Sequence, residues 1–296
     1  MNYFIAIAFC FNLIYCALSF NTDFGVCNLT NYGTTFSESE IQSIIQRKIS
    51  KLNNEFNPTT SKKSFSFIVD NRKEKIYHSH WPWSLGITYH KPEKIVIKDP
   101  ATAHISKMKF EMVVEHELNH LMVNRVSLQH TIPRWFKEGF AMYYSNEISF
   151  NHKLRVGQKI YNKELFNLDK LKRFQAKNQQ DFNFLYAQSA IYILTIHNLY
   201  GDNTLKRIFN NLQVGMAFNE SFYNATLQSV DNFNHIAYND IKNKYWWFQL
   251  ISLPNQIFTF LPLLLVIGFI IQSIHNKKIR RQWAIEEELE KELEKE

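Results

Sequence analysis

The segment Val113-Val114-Glu115-His116-Glu117-Leu118-Asn119-His120-Leu121-Met122 places two histidines four residues apart. On a helix, residues with that spacing lie one above the other on one face. Two imidazoles so placed can hold a single metal ion between them. Glu117 follows the first histidine and projects about 100° further round the helix. From there its carboxylate reaches a water on the metal without being a ligand. Zinc lowers the pKa of such a water to about 7, so a neighbouring carboxylate can take its proton near neutral pH. The flanking Val113, Val114, Leu118, Leu121 and Met122 give the apolar cover of a buried helix. A helix with two core histidines and a surface glutamate has the same pattern. A third ligand separates the two readings, because catalytic zinc usually takes three protein ligands and keeps a fourth position open.

Downstream lies Ile132-Pro133-Arg134-Trp135-Phe136-Lys137-Glu138-Gly139-Phe140-Ala141-Met142-Tyr143-Tyr144. Pro133 suits the first turn of a helix. Glu138 is at helical spacing from Trp135, Phe136, Phe140 and Ala141, on or near an apolar face. An unpaired charge there is costly, and a metal would satisfy it. The alternative is a glutamate that faces water beside Lys137.

Together the two segments resemble the gluzincin zinc metallopeptidases, whose third zinc ligand is a glutamate on the next helix. Trp135-Phe136-Lys137-Glu138-Gly139-Phe140-Ala141 is similar to the Trp-x-x-Glu-Gly-Phe/Leu-Ala segment of aminopeptidase-like gluzincins and of peptidase-MA-like proteins. The resemblance implies that His116, His120 and Glu138 are the zinc ligands and that Glu117 is the general base. The interval from His120 to Glu138 is one residue shorter than is usual in the aminopeptidases, a difference that the loop Asn124 to Thr131 can absorb. Phe184-Leu185-Tyr186-Ala187-Gln188-Ser189-Ala190 is similar to the Tyr-x-Lys-Gly-Ala segment of aminopeptidase gluzincins, with Gln188 and Ser189 in place of the Lys-Gly pair. It implies that Tyr186 is the oxyanion donor, although a core tyrosine at the start of a helix fits the same residues. In gluzincins the strand shortly before the zinc helix lies at a sheet edge and pairs with an extended substrate. Ile95, Val96 and Ile97 would be that strand by resemblance; an ordinary core strand is the other reading. No Gly-x-Met-Glu-Asn exopeptidase segment occurs between Ser64 and Lys107, so endopeptidase rather than aminopeptidase action is implied.

These groups need a scaffold. The 296 residues suffice for one or two domains with a real core, and 45% hydrophobic content excludes a disordered chain. Ser37-Glu38-Ser39-Glu40 opens a helix to about Asn54, with Ile41, Ile44, Ile45, Ile49 and Leu52 at helical spacing. Asn21 to Thr35, before it, reads as polar and loose. Ser64 to Val69 alternates as a strand, and Trp81 to Tyr89 and Lys94 to Lys98 read as further strands. The zinc helix is expected from Lys107 to Val126 and the ligand helix from Pro133 to Asn146. Beyond Leu165 the chain reads as helical, with segments at Ala187 to Tyr200, Thr204 to Leu212, Phe218 to Ser229 and Asp231 to Tyr245. His78, His80, His90, His104, His130 and His152 have no ligand spacing. Of three cysteines, Cys10 and Cys16 fall in an N-terminal apolar run. Cys27 is left alone as an ordinary thiol, which rules out a disulfide framework and a Cys-based zinc site. The net charge of +7 comes without a basic stripe interleaved with aromatics, so no nucleic acid partner is expected.

Both ends read as membrane-related. Tyr3 to Phe20 is almost wholly apolar and reads as a secretory signal peptide, residues 1–19, with Ala17-Leu18-Ser19 as the cleavage site. An uncleaved anchor, or a lipoprotein site at Cys16, are the alternatives. Residues 256–274 carry no charge and would span about 30 Å as a helix. Trp246-Trp247 precede them and Lys277-Lys278-Ile279-Arg280-Arg281 follow. Basic residues stay on the cytoplasmic side, which puts the C-terminus inside. The tail Ala284 to Glu296 reads as a short solvated helix.

The expected fold is α+β: a gluzincin-type zinc peptidase domain at 20–250 with a small mixed sheet lobe, the zinc helix and a helical C-terminal lobe. A transmembrane helix at 256–274 and a cytoplasmic tail at 275–296 complete it. The expected function is a membrane-anchored, extracytoplasmic zinc (Zn2+) metallopeptidase that hydrolyses peptide or protein substrates with a zinc-bound water. A peptidase-like scaffold that binds a partner without catalysis is the alternative.

Overall fold

The computed structural model describes residues 18–58, 62–71, 84–126, 131–161, 165, 171, 178–248 and 254–293. It separates into two compact units, residues 1–246 and 247–296.

The first unit is built on a mixed five-stranded sheet. Its strands are β1 (Leu18–Thr22), β2 (Gly25–Asn31), β3 (Phe65–Asp70), β4 (Gly86–Tyr89) and β5 (Lys94–Lys98), in the spatial order β1-β2-β3-β5-β4. The pairs β1–β2 and β4–β5 are antiparallel; β2–β3 and β3–β5 are parallel. The parallel β2–β3 pair needs a crossover, and helix α1 (Glu38–Phe56) supplies it. Ser37 caps α1 in a capping box: its hydroxyl accepts from Glu40 N, while Glu40 Oε2 accepts from Ser37 N at 2.8 Å. The isoleucines expected to face inward, Ile41, Ile44, Ile45 and Ile49, do so with Leu52.

The segment expected to be loose, Asn21 to Thr35, instead contributes the end of β1 and the whole of β2. The reason is alternation: Cys27 and Leu29 point into the core while Val26 and Asn28 point away. Cys27 is therefore a core residue, and burial pushes its thiol up to about 12. Residues 1–17 lie outside the described part. Leu18 and Ser19, from the expected cleavage site, pair with Leu29 and Asn28 in the sheet.

The strand expected at the edge is not there. Ile95, Val96 and Ile97 belong to β5, which is enclosed between β3 and β4, and all three are buried. The physical reason is the short return of β4, which pairs Gly86 with Ile97 and Thr88 with Ile95 and takes the outer position. Among the described strands, the edge on this side of the sheet is thus β4.

After α2 (Pro100–Ala103), helix α3 (Lys107–Val126) packs against α1, β4 and β5. It is buried on most sides, so its charges are paired. Glu115 takes Lys48 Nζ at 2.7 Å and Lys51 Nζ at 2.5 Å from α1. Arg125 holds Glu93 at 2.6 Å and the carbonyl of Lys63 at 2.9 Å. Helix α4 (Arg134–Tyr144) follows, then α5 (Phe150–Tyr161), which periodicity alone did not single out. Helices α6 (Gln179–Tyr200), α7 (Thr204–Gln213), α8 (Phe218–Thr226) and α9 (Val230–Tyr245) complete the helical lobe. Its centre is the fully buried Trp135, ringed by Phe136, Tyr192, Phe218 and Phe233.

The second unit contains one 40-residue helix, α10 (Pro254–Leu293). The stretch Phe260–Glu287 is long and apolar enough to cross a membrane. The expected tail helix is not separate: it continues α10 without a break to Leu293.

Candidate metal centre

Helix α3 sets two imidazoles on one face. His120 Nε2 and His116 Nε2 are 3.1 Å apart. Helix α4 brings up Glu138, whose Oε2 is 3.1 Å from His120 Nε2 and 3.7 Å from His116 Nε2. The three donor atoms all lie within 4.8 Å of one another. Zinc with N and O ligands at about 2.0–2.2 Å in tetrahedral geometry has ligand atoms roughly 3.3 Å apart, so the triangle is the right size for one ion.

The electrostatics agree with the size. Burial alone would raise the Glu138 carboxyl, but His120, His116 and Arg134 hold it well below the usual carboxylate range. Arg134 Nε lies 3.2 Å from Glu138 Oε1, one helical turn away. Burial alone would lower His116, but Glu147 and Glu138 outweigh it and hold it well above the usual histidine value. The group therefore favours a positive charge at its centre, whether a proton or a metal cation.

The orientation of His116 is fixed from behind. Its Nδ1 is 2.8 Å from Glu147 Oε1, so Nδ1–H donates there and the Nε2 lone pair faces the triangle. Glu147 sits in the loop between α4 and α5 and also accepts from Lys109 Nζ and Ser145 Oγ, each at 2.7 Å. Burial raises its carboxyl; His116 and then Lys109 outweigh that and hold it at about 2.

Glu117 stands beside the triangle and is only 5% exposed. Burial pushes its carboxyl above the usual range, with His120 and His116 opposing. A raised carboxyl holds a proton more tightly than an ordinary glutamate, the direction that suits a general base. Thr88 on β4 holds it: Thr88 Oγ1 lies 2.6 Å from Glu117 Oε2. Gly86 makes room for it, since a Cβ there would come 2.7 Å from Glu117 Oε1. Tyr186, from α6, places its ring 6.3 Å from that of His116 and nearly parallel to it. Burial and the Glu138 carboxylate push its phenol well above the usual tyrosine value, so it is a neutral donor.

A cleft of about 850 Å³ opens on the His120 side, lined by Gly86, Ile87, Thr88, Glu117, His120, Arg134, Lys137, Glu138 and Tyr186 among others. A second space of about 350 Å³ lies on the His116 side and shares Gly86, Glu117 and Tyr186 with the first. Five sequence-derived candidates, His116, Glu117, His120, Glu138 and Tyr186, thus come together. Ile95, Val96 and Ile97 do not: they line neither space. Sequence reasoning missed Glu147, Thr88 and Gly86. Metal-bound histidines commonly donate their second N–H to a carboxylate, which predicts that some acid lies behind His116. Spacing does not say which, because Glu147 is 31 residues away on a loop.

A family model described as the Peptidase MA superfamily matches residues 65–243. Among solved structures, the chain is similar to an alanine mutant of a two-domain M1 zinc metallopeptidase bound to L-tryptophan. The identity is 11% and the TM-score 0.40, over 76% of this chain and 50% of that one. The chain thus spans about half the length of that relative. No curated protein matches.

Proposed function

The chain belongs to the peptidase MA superfamily, and we propose that it is a membrane-anchored zinc metallopeptidase whose ligands are His116, His120 and Glu138. The observation that carries this reading is the triangle of two imidazoles and a carboxylate with Glu117 beside it, not in it. Zinc bound there would lower the pKa of a water and polarise a scissile carbonyl. Glu117 acts as general base: it takes the proton of the attacking water and later passes it to the leaving amine. Thr88 keeps that carboxylate pointed into the cleft. The Tyr186 hydroxyl donates to the oxygen that gains charge in the transition state. Glu147 holds His116 in the tautomer that leaves Nε2 available. Strand β4, the outermost of the described strands on its side of the sheet, borders the cleft at Gly86–Thr88 and accepts an extended substrate by backbone hydrogen bonds.

Endopeptidase action is favoured over aminopeptidase action. An aminopeptidase needs a carboxylate to hold the substrate's free amine. Among the described residues lining the two spaces the acids are Glu117, Glu138 and Glu147, each already engaged at the metal group. The spaces also extend on both sides of that group.

The membrane reading rests on α10. An N-terminal signal peptide, which must end before Leu18 and Ser19 because both are strand residues of β1, directs the domain up to residue 250 outward. Residues 256–274 span the bilayer, and the basic cluster Lys277 to Arg281 keeps 275–296 in the cytoplasm.

Zinc content and cleavage of a peptide library, measured on the purified protein, test the reading. Glu117→Gln touches no ligand bond, so zinc remains bound while turnover falls at least 10²–10⁴-fold, a range typical of general acid–base help. Tyr186→Phe costs less, about 10²–10³-fold, as for one oxyanion donor. Near wild-type turnover in Glu117→Gln rules out this site as the source of activity. Stoichiometric zinc without cleavage of any peptide makes the protein a binding scaffold instead.

A further inference from the structure

The wall of the larger cleft formed by the start of α4 carries two cations, Arg134 and Lys137. Arg134 is paired with Glu138. Lys137 is in a different position. Its side chain is half-buried, and its ammonium donates to the neutral amide oxygen of Asn124 at 2.9 Å. Among the described residues no carboxylate lies within ion-pair distance of Lys137 Nζ. An ammonium has three donors, and the single neutral acceptor recorded for this half-buried one leaves it capacity for a further acceptor from the cleft. Among the described residues the acids lining the cleft are Glu117 and Glu138, which serve the metal group. A dication bound at that group would leave the cleft with an excess of positive charge.

We propose that this wall is a carboxylate subsite: the cleft takes peptides that carry an anionic group close to the scissile bond, held by Lys137 with Arg134 beside it. The recognised group is an Asp or Glu side chain or the peptide's own C-terminal carboxylate; the chemistry is the same for both. Only the statement that a scissile bond lies next to it rests on the peptidase reading. Lys137 is a specificity-determining residue rather than a catalytic one. It precedes the ligand Glu138 on the same helix and lines the same cleft.

The test reads binding, not turnover. Full-length protein in detergent, zinc-loaded and carrying Glu117→Gln to arrest cleavage, is titrated with three peptides of one sequence. The first has a central Glu and an amidated C-terminus, the second a central Gln and an amidated C-terminus, the third a central Gln and a free C-terminus. A charge-assisted hydrogen bond in a partly buried site gives about tenfold to a hundredfold. At least one of the two anionic peptides should bind tenfold or more tighter than the neutral one, and which of them does so identifies the source of the carboxylate. Lys137→Met should abolish that ratio. Lys137→Gln, which keeps a donor for Asn124, should abolish it as well, which separates lost charge from lost structure. Equal affinities for all three peptides, no measurable binding, or a preference that survives both substitutions overturns the proposal. A wild-type protein that binds selectively but cleaves nothing overturns the peptidase reading alone.

Discussion

At the residue scale, the site depends on what surrounds the ligands as much as on the ligands. Glu147 is the clearest case. It orients His116, and its depressed carboxyl links the site to pH. In the metal-free protein its value is held at about 2, below the ordinary carboxylate value. A depressed carboxyl stabilises the fold above its unfolded-state pKa, and that contribution is lost as pH falls through the folded-state value. Denaturant unfolding of the metal-free protein at a series of pH values should therefore show stability falling between about pH 5 and about pH 2. Glu147→Gln should flatten that slope by up to one proton. It should also weaken zinc binding about 10–100-fold, as loss of a carboxylate partner to a metal-bound histidine typically does. An unchanged slope together with unchanged zinc affinity in Glu147→Gln removes it from the site.

At the scale of elements, two glycines set how closely a neighbour approaches the backbone, and they do so for different ends. Gly86 starts β4 and lies against the carboxylate of Glu117. Gly139 lies on α4 against α6, where a Cβ would collide with the carbonyl of Ser189 and come 2.6 Å from Ile193 Cγ1. Their alanine variants should therefore fail in opposite ways. Gly86→Ala moves one side chain: turnover falls while zinc content and melting temperature stay near wild type. Gly139→Ala separates two packed helices. It should cost about 1–3 kcal/mol of stability, in the range for overpacking, and weaken zinc binding as Glu138 shifts. Thermal melts with zinc analysis of both variants separate the cases. A Gly86→Ala protein that melts much lower than wild type would show that β4 serves the sheet rather than Glu117.

At the scale of the molecule, α10 is about 60 Å long at 1.5 Å per residue, twice the hydrocarbon thickness of a bilayer. The apolar half matches a membrane span and the charged half extends past it as helix. In the proposed topology, protease added outside intact cells (or outside spheroplasts) digests residues 21–250 and spares a tag placed after Glu296. Protection of the domain with loss of the tag reverses the orientation drawn from Lys277 to Arg281.

The residue sequence by itself determined the local parts. His116, Glu117 and His120 share one helix, so the i,i+4 relation fixes their geometry wherever that helix goes. The α3 bounds, the capped start of α1 and its isoleucine stripe, and the apolar run of α10 were legible for the same reason: each is a periodicity within one element. Tyr186 was legible only through motif resemblance, and Glu138 through that resemblance and the apolar neighbours that make its charge costly, since nothing local says that α4 and α6 meet α3. What tertiary structure alone decided is non-local pairing. Strand order is one instance: β5 has the hydrophobic run of a core strand, but only the return of β4 made β4 the edge. The polar alternation of β2 looked like a loop until β1 and β3 supplied its partners. Glu147, Thr88 and Lys137 are the same problem in the cleft. Each is an ordinary polar residue in sequence, and its role comes from a neighbour that the chain reaches only by folding.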